Sequence, residues 1–124
     1  MKIEKFKIIK KTENDLTIFM IESDWLGGSI VGGQIWEPHI TKFLERNLTK
    51  DSIFVDVGSN YGWHSIKSSN FCKEIYSFEP QNLIYNLQLD SITENNISNI
   101  QLFNYGIGDR NEQKQMSPIN YESS

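Results

Sequence analysis

The stretch "SIFVDVGSNYGWH", residues 52–64, decides the fold of this sequence. Four apolar residues predict a buried strand, and Asp56 places a carboxylate near the end of that strand. Gly58 and Gly62 follow four residues apart, and neither has a Cβ that would hinder a sharp turn or the close approach of a ligand. We therefore predict a strand, a glycine loop and a short helix that ends at about Ser69.

Two more strands and another helix are predicted downstream. The segment "EIYSFEP" (74–80) is a strand closed by Pro80, "NLIYNLQLDSIT" (82–93) is a helix, and "IQLFNYGIGD" (100–109) is a strand that ends in glycines. The resulting order β–α–β–α–β, with helical connections, is typical of a parallel sheet with right-handed crossovers.

The residues before this unit predict a hairpin and one helix. Apolar residues alternate with lysines from Ile3 to Ile9, and a second apolar run follows the polar stretch "KTEND", which favours a β-hairpin. The glycine pairs in "LGGSIVGGQIW" (26–36) predict a loop with a short strand. The segment "EPHITKFLERNL" (37–48) predicts a helix with one apolar face. We divide the chain into an N-terminal hairpin and extension, 1–35, and an α/β domain, 36–124.

Composition argues against several classes of function. The 12 basic and 16 acidic residues give a net charge of −4, which disfavours a nucleic-acid partner. Cys72 is the only cysteine, and His39 and His64 match no zinc motif, so no metal site is predicted. No apolar run approaches ~18 residues and no signal peptide is recognisable, so we expect a cytoplasmic protein without a membrane partner.

The glycine loop predicts the chemistry of a ligand. Ligands of open α/β sheets bind beyond the carboxyl ends of the strands. This loop reads G-x-x-x-G and lacks the middle glycine of the dinucleotide pattern G-x-G-x-x-G, which admits a pyrophosphate. Asp56 would repel a pyrophosphate and attract a cation. S-adenosyl-L-methionine carries an ammonium and a sulfonium and no phosphate, and it meets these demands better than NAD.

A second carboxylate closes the next strand. Glu79 lies 21 residues after Gly58, near the spacing at which an acidic residue meets the ribose of an adenosine cofactor. Asn104 and Tyr105 end the third strand, next to the place of an adenine, where Tyr105 either stacks on the base or belongs to the core. The alternative is that Asp56 and Glu79 are ordinary turn acids.

These residues resemble a known family. "FVDVGSNYGWHS" followed by "YSFEP" resembles the FkbM-type methyltransferases, S-adenosylmethionine-dependent O-methyltransferases of the class I Rossmann-like fold. The family motifs D-x-G-A-N-x-G-x-x-S and F-E-P are matched by Asp56, Gly58, Asn60, Gly62, Ser65, Phe78, Glu79 and Pro80. Ser59 replaces the usual alanine. The segments "IWEP" (35–38) and "NIQLFNYGIGDRNEQ" (99–113) are weaker matches, and the resemblance covers roughly residues 30–124.

The resemblance implies roles for individual residues. Gly58, Ser59, Asn60 and Gly62 would wrap the methionine arm, and the Glu79–Pro80 turn would hold the ribose. Asp56 would hold the ammonium or order the loop. His64 is either a general base or, as we prefer, a helix residue that faces the sheet or solvent. Glu37 either reaches the methyl acceptor or, as we prefer, is a charge at a helix N-terminus.

The implied activity is methyl transfer to a hydroxyl of a small molecule or glycan. The complete fold has seven strands, and this chain supplies three, so we expect a Rossmann-like fold truncated after about three parallel strands. The chain is then a fragment, a partner of a second chain that completes the sheet, or a compact variant. On its own we expect it to be inactive. The competing interpretation is a non-catalytic module that binds a nucleoside or a partner; a NAD-linked oxidoreductase is disfavoured by the loop spacing.

Overall fold

A computed structural model describes residues 8–31, 33 and 36–113 of the protein. Its strands are β1 (Ile8–Glu13), β2 (Leu16–Ile21), β3 (Ile53–Val57), β4 (Glu74–Phe78) and β5 (Ile100–Phe103). Its helices are α1 (Trp25–Val31), α2 (Pro38–Asn47), α3 (Trp63–Ser68) and α4 (Asn82–Glu94).

The predicted β–α–β–α–β unit is confirmed. Strands β3, β4 and β5 form a parallel sheet in that order, with α3 and α4 as the connections. Val57, Phe78 and Phe103 end the three strands in register, since Val57 pairs with Phe78 and Phe78 pairs with Phe103. The residues that follow them, including the glycine loop, therefore meet at one edge of the sheet.

The N-terminal hairpin is also confirmed. Strands β1 and β2 pair antiparallel with Glu13 opposite Leu16. The turn is only Asn14–Asp15, and both residues have positive φ, 52° and 64°, as a two-residue hairpin turn requires. Most of the polar stretch predicted as a gap is therefore strand. Ile3 and Phe6 lie outside the described residues.

The helices α3 and α4 lie between the hairpin and the parallel sheet, which gives three layers. Apolar side chains from the hairpin, α1, the loop before α3, and helices α3 and α4 form one core. Its buried members are Ile18, Met20, Ile21, Leu26, Ile30, Tyr61, Trp63, Ile66, Ile84, Leu87 and Ile92.

Polar side chains of α4 and its C-cap bind the backbone of β2. Asn95 accepts a hydrogen bond from the Thr17 N–H at 2.7 Å and donates to the Thr17 carbonyl at 2.6 Å, while Ser91 Oγ accepts from the Phe19 N–H at 2.9 Å. This satisfies part of a strand edge that would otherwise be unpaired. The division of the chain into domains at residue 35 stays a prediction.

The segment 26–36 differs from the prediction, because most of its described part belongs to α1 and not to a loop with a strand. A Cβ on Gly27 would lie 2.0 Å from the Ile21 carbonyl oxygen. The first glycine pair therefore permits helix α1 to pack directly on the end of β2, which is a reason for glycine that a turn-based prediction does not consider.

Helix α2 is confirmed, but its apolar face is not buried. None of its residues is buried, and Phe43 is 62% exposed. On the parallel sheet, Ile53, Val55 and Val57 are 58%, 55% and 58% exposed, because they share the face opposite α3 and α4. We call this face of β3–β5 the outer face; no element among the described residues covers its β3 side chains.

Candidate functional site

The glycine loop, residues 58–62, is fixed by the end of β4. The N–H groups of Gly58 and Ser59 both donate to the Phe78 carbonyl, at 2.9 and 3.0 Å. The Asn60 N–H donates to Glu79 Oε1 at 2.8 Å, and the Gly62 N–H donates to the Ser59 carbonyl at 2.9 Å. These four amides are therefore bonded within the protein, and they fix the conformation of the loop.

Glu79 is the anchor of this arrangement. Its side chain is buried, with Oε1 accepting from Asn60 and Oε2 accepting from the Gln81 N–H at 2.9 Å. Burial raises the pKa of the Glu79 carboxyl, the two backbone hydrogen bonds lower it, and the charge of Asp56 raises it, with a net rise. Each carboxylate oxygen has two lone pairs, so both keep the capacity for one more donor.

Open space lies beside Gly58. Apart from Gly58 and its two chain neighbours, no described residue has an atom within 4 Å of the position a Gly58 Cβ would take, and the φ of Gly58 is +70°. Asn60 follows with φ +57°, and its Oδ1 is buried without a hydrogen-bond partner among the described residues. A ligand can thus approach the backbone at Gly58, and an unused acceptor lies two residues further.

Asp56 is tied to α3 and β4 by two hydroxyls. Ser65 Oγ donates to Asp56 Oδ2 at 2.6 Å and lies 2.6 Å from Ser77 Oγ. Since the Ser65 proton goes to Asp56, the Ser77 hydroxyl donates to Ser65. Burial raises the pKa of the Asp56 carboxyl; the Ser65 hydrogen bond and His64 lower it, and Glu37 raises it.

Replacing Asp56 by Asn is expected to raise the melting temperature by roughly a few degrees at about pH 7.5. A carboxyl whose folded pKa lies above its unfolded value destabilises the protein at high pH, and this penalty disappears as the pH falls through the folded pKa towards the unfolded one. The gain from Asp56→Asn should therefore be smaller at about pH 5. Thermal unfolding at both pH values measures it.

The matched control is Asp51→Asn, because Asp51 is exposed two residues before the same strand. It should leave the melting temperature nearly unchanged at both pH values. A gain from Asp56→Asn that is larger in acid than at neutral pH would contradict the burial argument.

Glu37 and His64 lie together in the structure. Glu37 precedes α2 with a left-handed φ of 43°, and its Oε1 lies 2.9 Å from His64 Nε2. His64 Nδ1 is buried and has no hydrogen-bond partner among the described residues. Both residues were candidates for catalysis from the sequence, but their contact was not predicted. Glu37 is the N-cap residue of α2, so its charge lies at the helix N-terminus; its side chain makes no capping hydrogen bond and contacts the imidazole instead.

The residues predicted to meet an adenine lie beside Glu79. Asn104 Nδ2 donates to the carbonyls of Glu79 and Pro80, at 3.0 and 3.3 Å. Tyr105 is 53% exposed and is not a core residue; its ring centroid lies 5.7 Å from that of Phe78, on the outer face. The structure thus places both residues next to the end of β4, as the strand order predicts.

Two contacts of the loop were missed from the sequence. Gln88 accepts a hydrogen bond from Ser59 Oγ at 2.7 Å, and Tyr61 donates to Asp24 Oδ2 at 2.5 Å. Gln88 could have been noticed as a polar residue four positions after Ile84, on the apolar side of a helix. Asp24 lies 37 residues before Tyr61, and no local pattern connects them.

Other kinds of site are not found in the part of the chain that the structure describes. That part holds no group of three or more His, Cys, Asp or Glu side chains placed for a metal ion. None of its helices has the length and apolar character to cross a bilayer. An open groove of about 530 Å³ lies between the hairpin and α4, and it touches no residue of the glycine loop.

Comparison with known proteins identifies the type of fold. No family model matches the sequence, and no curated protein matches it significantly. Among solved structures, the chain is similar to a protein from Streptococcus mutans described as a candidate methyltransferase, in complex with SAH (28% identity, TM-score 0.53, 59% of this chain and 43% of that one). It is also similar to an rRNA methylase from Streptococcus thermophilus (24%, 0.53, 59% and 45%) and to M. jannaschii TYW2 in complex with AdoMet (15%, 0.59, 77% and 42%).

These similarities establish the Rossmann-like fold of methyltransferases for the parallel sheet and its helices. The match covers less than half of each of the three proteins, so it concerns one part of their structures. The predicted fold class, a truncated Rossmann-like fold preceded by a hairpin, is confirmed.

Proposed function

We propose that this chain binds S-adenosylmethionine at the carboxyl ends of β3 and β4 and takes part in methyl transfer. The observation that carries the proposal is the loop 58–62, which is held by Glu79 and opens at Gly58 between two carboxylates. Solved neighbours of the same fold were crystallised with AdoMet and SAH, the cofactor and its demethylated form. The charge and hydrogen-bonding capacity of each residue indicate which part of the cofactor it would bind.

The residues present fit this cofactor. Glu79 keeps acceptor capacity on both oxygens, which suits the two hydroxyls of a ribose. Asp56 is a negative charge near the loop that suits an ammonium group. The space beside Gly58 admits the methionine arm. Asn104 binds the Glu79 carbonyl, on the side where the adenine would extend, and Tyr105 packs on Phe78 next to it.

When bound, the cofactor supplies an electrophilic methyl group. The protein orients this methyl group and binds the acceptor. Methyl transfer to a hydroxyl would release S-adenosylhomocysteine and the hydroxyl proton, and we assign that proton to the Glu37 carboxylate. His64 has Nε2 on Glu37 and Nδ1 buried, so we assign the imidazole to the orientation of Glu37. Glu37 is 41% exposed and is the member of the pair that an acceptor can reach.

We assign the acceptor to the hydroxyls of small molecules or glycans, as in O-methyltransferases of the FkbM type. One solved neighbour is an rRNA methylase, but this chain has 16 acidic against 12 basic residues and no surplus of positive charge for a phosphate backbone. An uncharged acceptor is consistent with that balance.

We further propose that turnover requires an additional α/β segment, from a second chain or a longer form of this one, that pairs with β3. The edge of β3, which pairs with no other strand among the described residues, and the exposed Ile53, Val55 and Val57 are the surface that such a segment would cover. The 124 residues alone should therefore bind the cofactor without turning it over. Robust methyl transfer by this chain alone would overturn the requirement.

Isothermal titration of the full chain with S-adenosylhomocysteine tests the cofactor proposal, with NAD as the control ligand. We expect a dissociation constant on the order of micromolar for the first and no heat for the second. Absence of S-adenosylhomocysteine binding by the folded chain would favour a non-catalytic module, and binding of NAD would favour the oxidoreductase.

A further inference from the structure

Gln88 joins helix α4 to both ends of the glycine loop. Its side chain is completely buried, on a helical face that also carries Ile84, Leu87, Ser91 and Ile92. Its Oε1 accepts the hydrogen bond from Ser59 Oγ at 2.7 Å. Its Cγ, Cδ and Nε2 lie 2.8, 2.9 and 3.0 Å from the position that a Cβ on Gly62 would occupy. One carboxamide thus contacts the second and the last residue of the loop.

A purely structural role does not explain the amide. Gln88 Nε2 has no hydrogen-bond partner among the described residues, although it is buried. Burying an unpaired donor costs free energy, and a methionine would fill the same space without that cost. The amide is therefore retained for what its oxygen does, which is to hold the Ser59 hydroxyl.

The hydrogen bond from Ser59 to Gln88 adds to two backbone hydrogen bonds of Ser59. The Ser59 N–H is fixed on the Phe78 carbonyl, and the Ser59 carbonyl accepts from Gly62. With its hydroxyl on Gln88, Ser59 is held at its amide, its carbonyl and its side chain. These contacts leave the loop little freedom next to Gly58, where its backbone is open to a ligand.

We propose that Gln88 is a positioning residue: by pairing with Ser59 and packing on Gly62, it holds the loop 58–62 in the conformation that binds the methionine arm of S-adenosylmethionine. This inference rests on the proposed function. It attributes part of the affinity for S-adenosylmethionine to a residue of α4 that contacts the loop and not the ligand.

The test is a double-mutant cycle of Ser59→Ala, Gln88→Met and the double variant, with Gln101→Met as the control. Gln101 is an exposed glutamine on β5, away from the loop. Titration with S-adenosylhomocysteine is done at a temperature at which every variant is folded, and the melting temperature is recorded separately.

We expect Gln88→Met to bind about tenfold more weakly than the wild type. Although alanine is usual at position 59 in the family motif, we expect Ser59→Ala to bind about tenfold more weakly too, because here it leaves the buried Gln88 carboxamide without its hydrogen bond. The double variant should bind no worse than either single variant. Gln101→Met should bind as the wild type does. Unchanged affinity with a lower melting temperature in Gln88→Met would overturn the proposal, because it would show a structural role only. Additive losses in the double variant would also overturn it.

A readout without ligand separates this inference from the proposed function. The amide ¹H–¹⁵N shifts of Gly58 and Gly62 should move more in Gln88→Met than in Gln101→Met. If the wild type binds no S-adenosylhomocysteine but these shifts move, the loop role stands and the cofactor proposal fails. If the shifts stay, the positioning role fails whatever the ligand.

Discussion

Glu79→Ala is expected to lower the affinity for S-adenosylhomocysteine by at least about 100-fold, because a charged acceptor of both ribose hydroxyls is lost. The same change should lower the melting temperature by about 10 °C, or ~2 kcal/mol. It leaves the N–H groups of Asn60 and Gln81 without their carboxylate partner. The raised pKa of the Glu79 carboxyl limits the loss, since removing a buried charge returns part of the free energy.

Glu74→Gln is the matched control for Glu79→Ala. Glu74 begins the strand that Glu79 follows, and its carboxylate binds the exposed Gln101 side chain at the opposite edge of the sheet. Affinity and melting temperature should stay close to those of the wild type. Glu79→Gln is not a neutral substitute, because one of its two polar ends would place N–H groups against a backbone N–H. Unchanged affinity in Glu79→Ala would refute the assignment of the ribose to this residue.

The part of the site that could be predicted comes from short-range patterns. The strand that ends at Val57, the glycines and the strand that ends at Phe78 each follow from residues within about ten positions. Once parallel order is inferred, the strand ends must meet, and Asp56, Glu79 and Asn104 come together by topology alone. The roles of these residues in binding a cofactor stay predictions.

The rest depends on contacts that sequence spacing does not encode. Gln88 lies 29 residues from Ser59, and its burial against the loop requires the angle between α4 and the sheet. The use of Gly27 for close packing depends on the Ile21 carbonyl in a different element. The exposure of the apolar face of α2 could not be inferred from its periodicity. An apolar stripe indicates that the helix can pack on a partner surface, and it does not show whether that surface belongs to the same chain.

Gly62→Ala is expected to destabilise the protein far more than Gly58→Ala, although both glycines have positive φ, +89° and +70°. The left-handed conformation costs about 1 kcal/mol for alanine at either position. At Gly62 the new methyl group also meets the carboxamide of Gln88, and overpacking adds about 2 kcal/mol. The melting temperature should therefore fall by about 15 °C for Gly62→Ala and about 5 °C for Gly58→Ala.

For ligand affinity we expect Gly58, and not Gly62, to be the more sensitive position. At Gly58 the space is open in the free protein, so a methyl group there is tolerated by the fold but stands where the methionine arm would lie. Gly58→Ala should then reduce affinity for S-adenosylhomocysteine by about tenfold while the fold remains intact. An unchanged affinity in this variant would place the ligand elsewhere.

Removal of the Gln88 side chain distinguishes crowding at Gly62 from backbone strain. In a Gln88→Ala background the atoms that a methyl group at position 62 would meet are gone, so Gly62→Ala should cost only the ~1 kcal/mol of the left-handed conformation. Thermal unfolding of the two single variants and the double variant gives this difference directly. If the cost at Gly62 is the same with and without the Gln88 side chain, the backbone alone dictates glycine. If it falls to the cost seen at Gly58, the left-handed backbone favours glycine at both positions, and packing against Gln88 of helix α4 adds the rest of the requirement at Gly62.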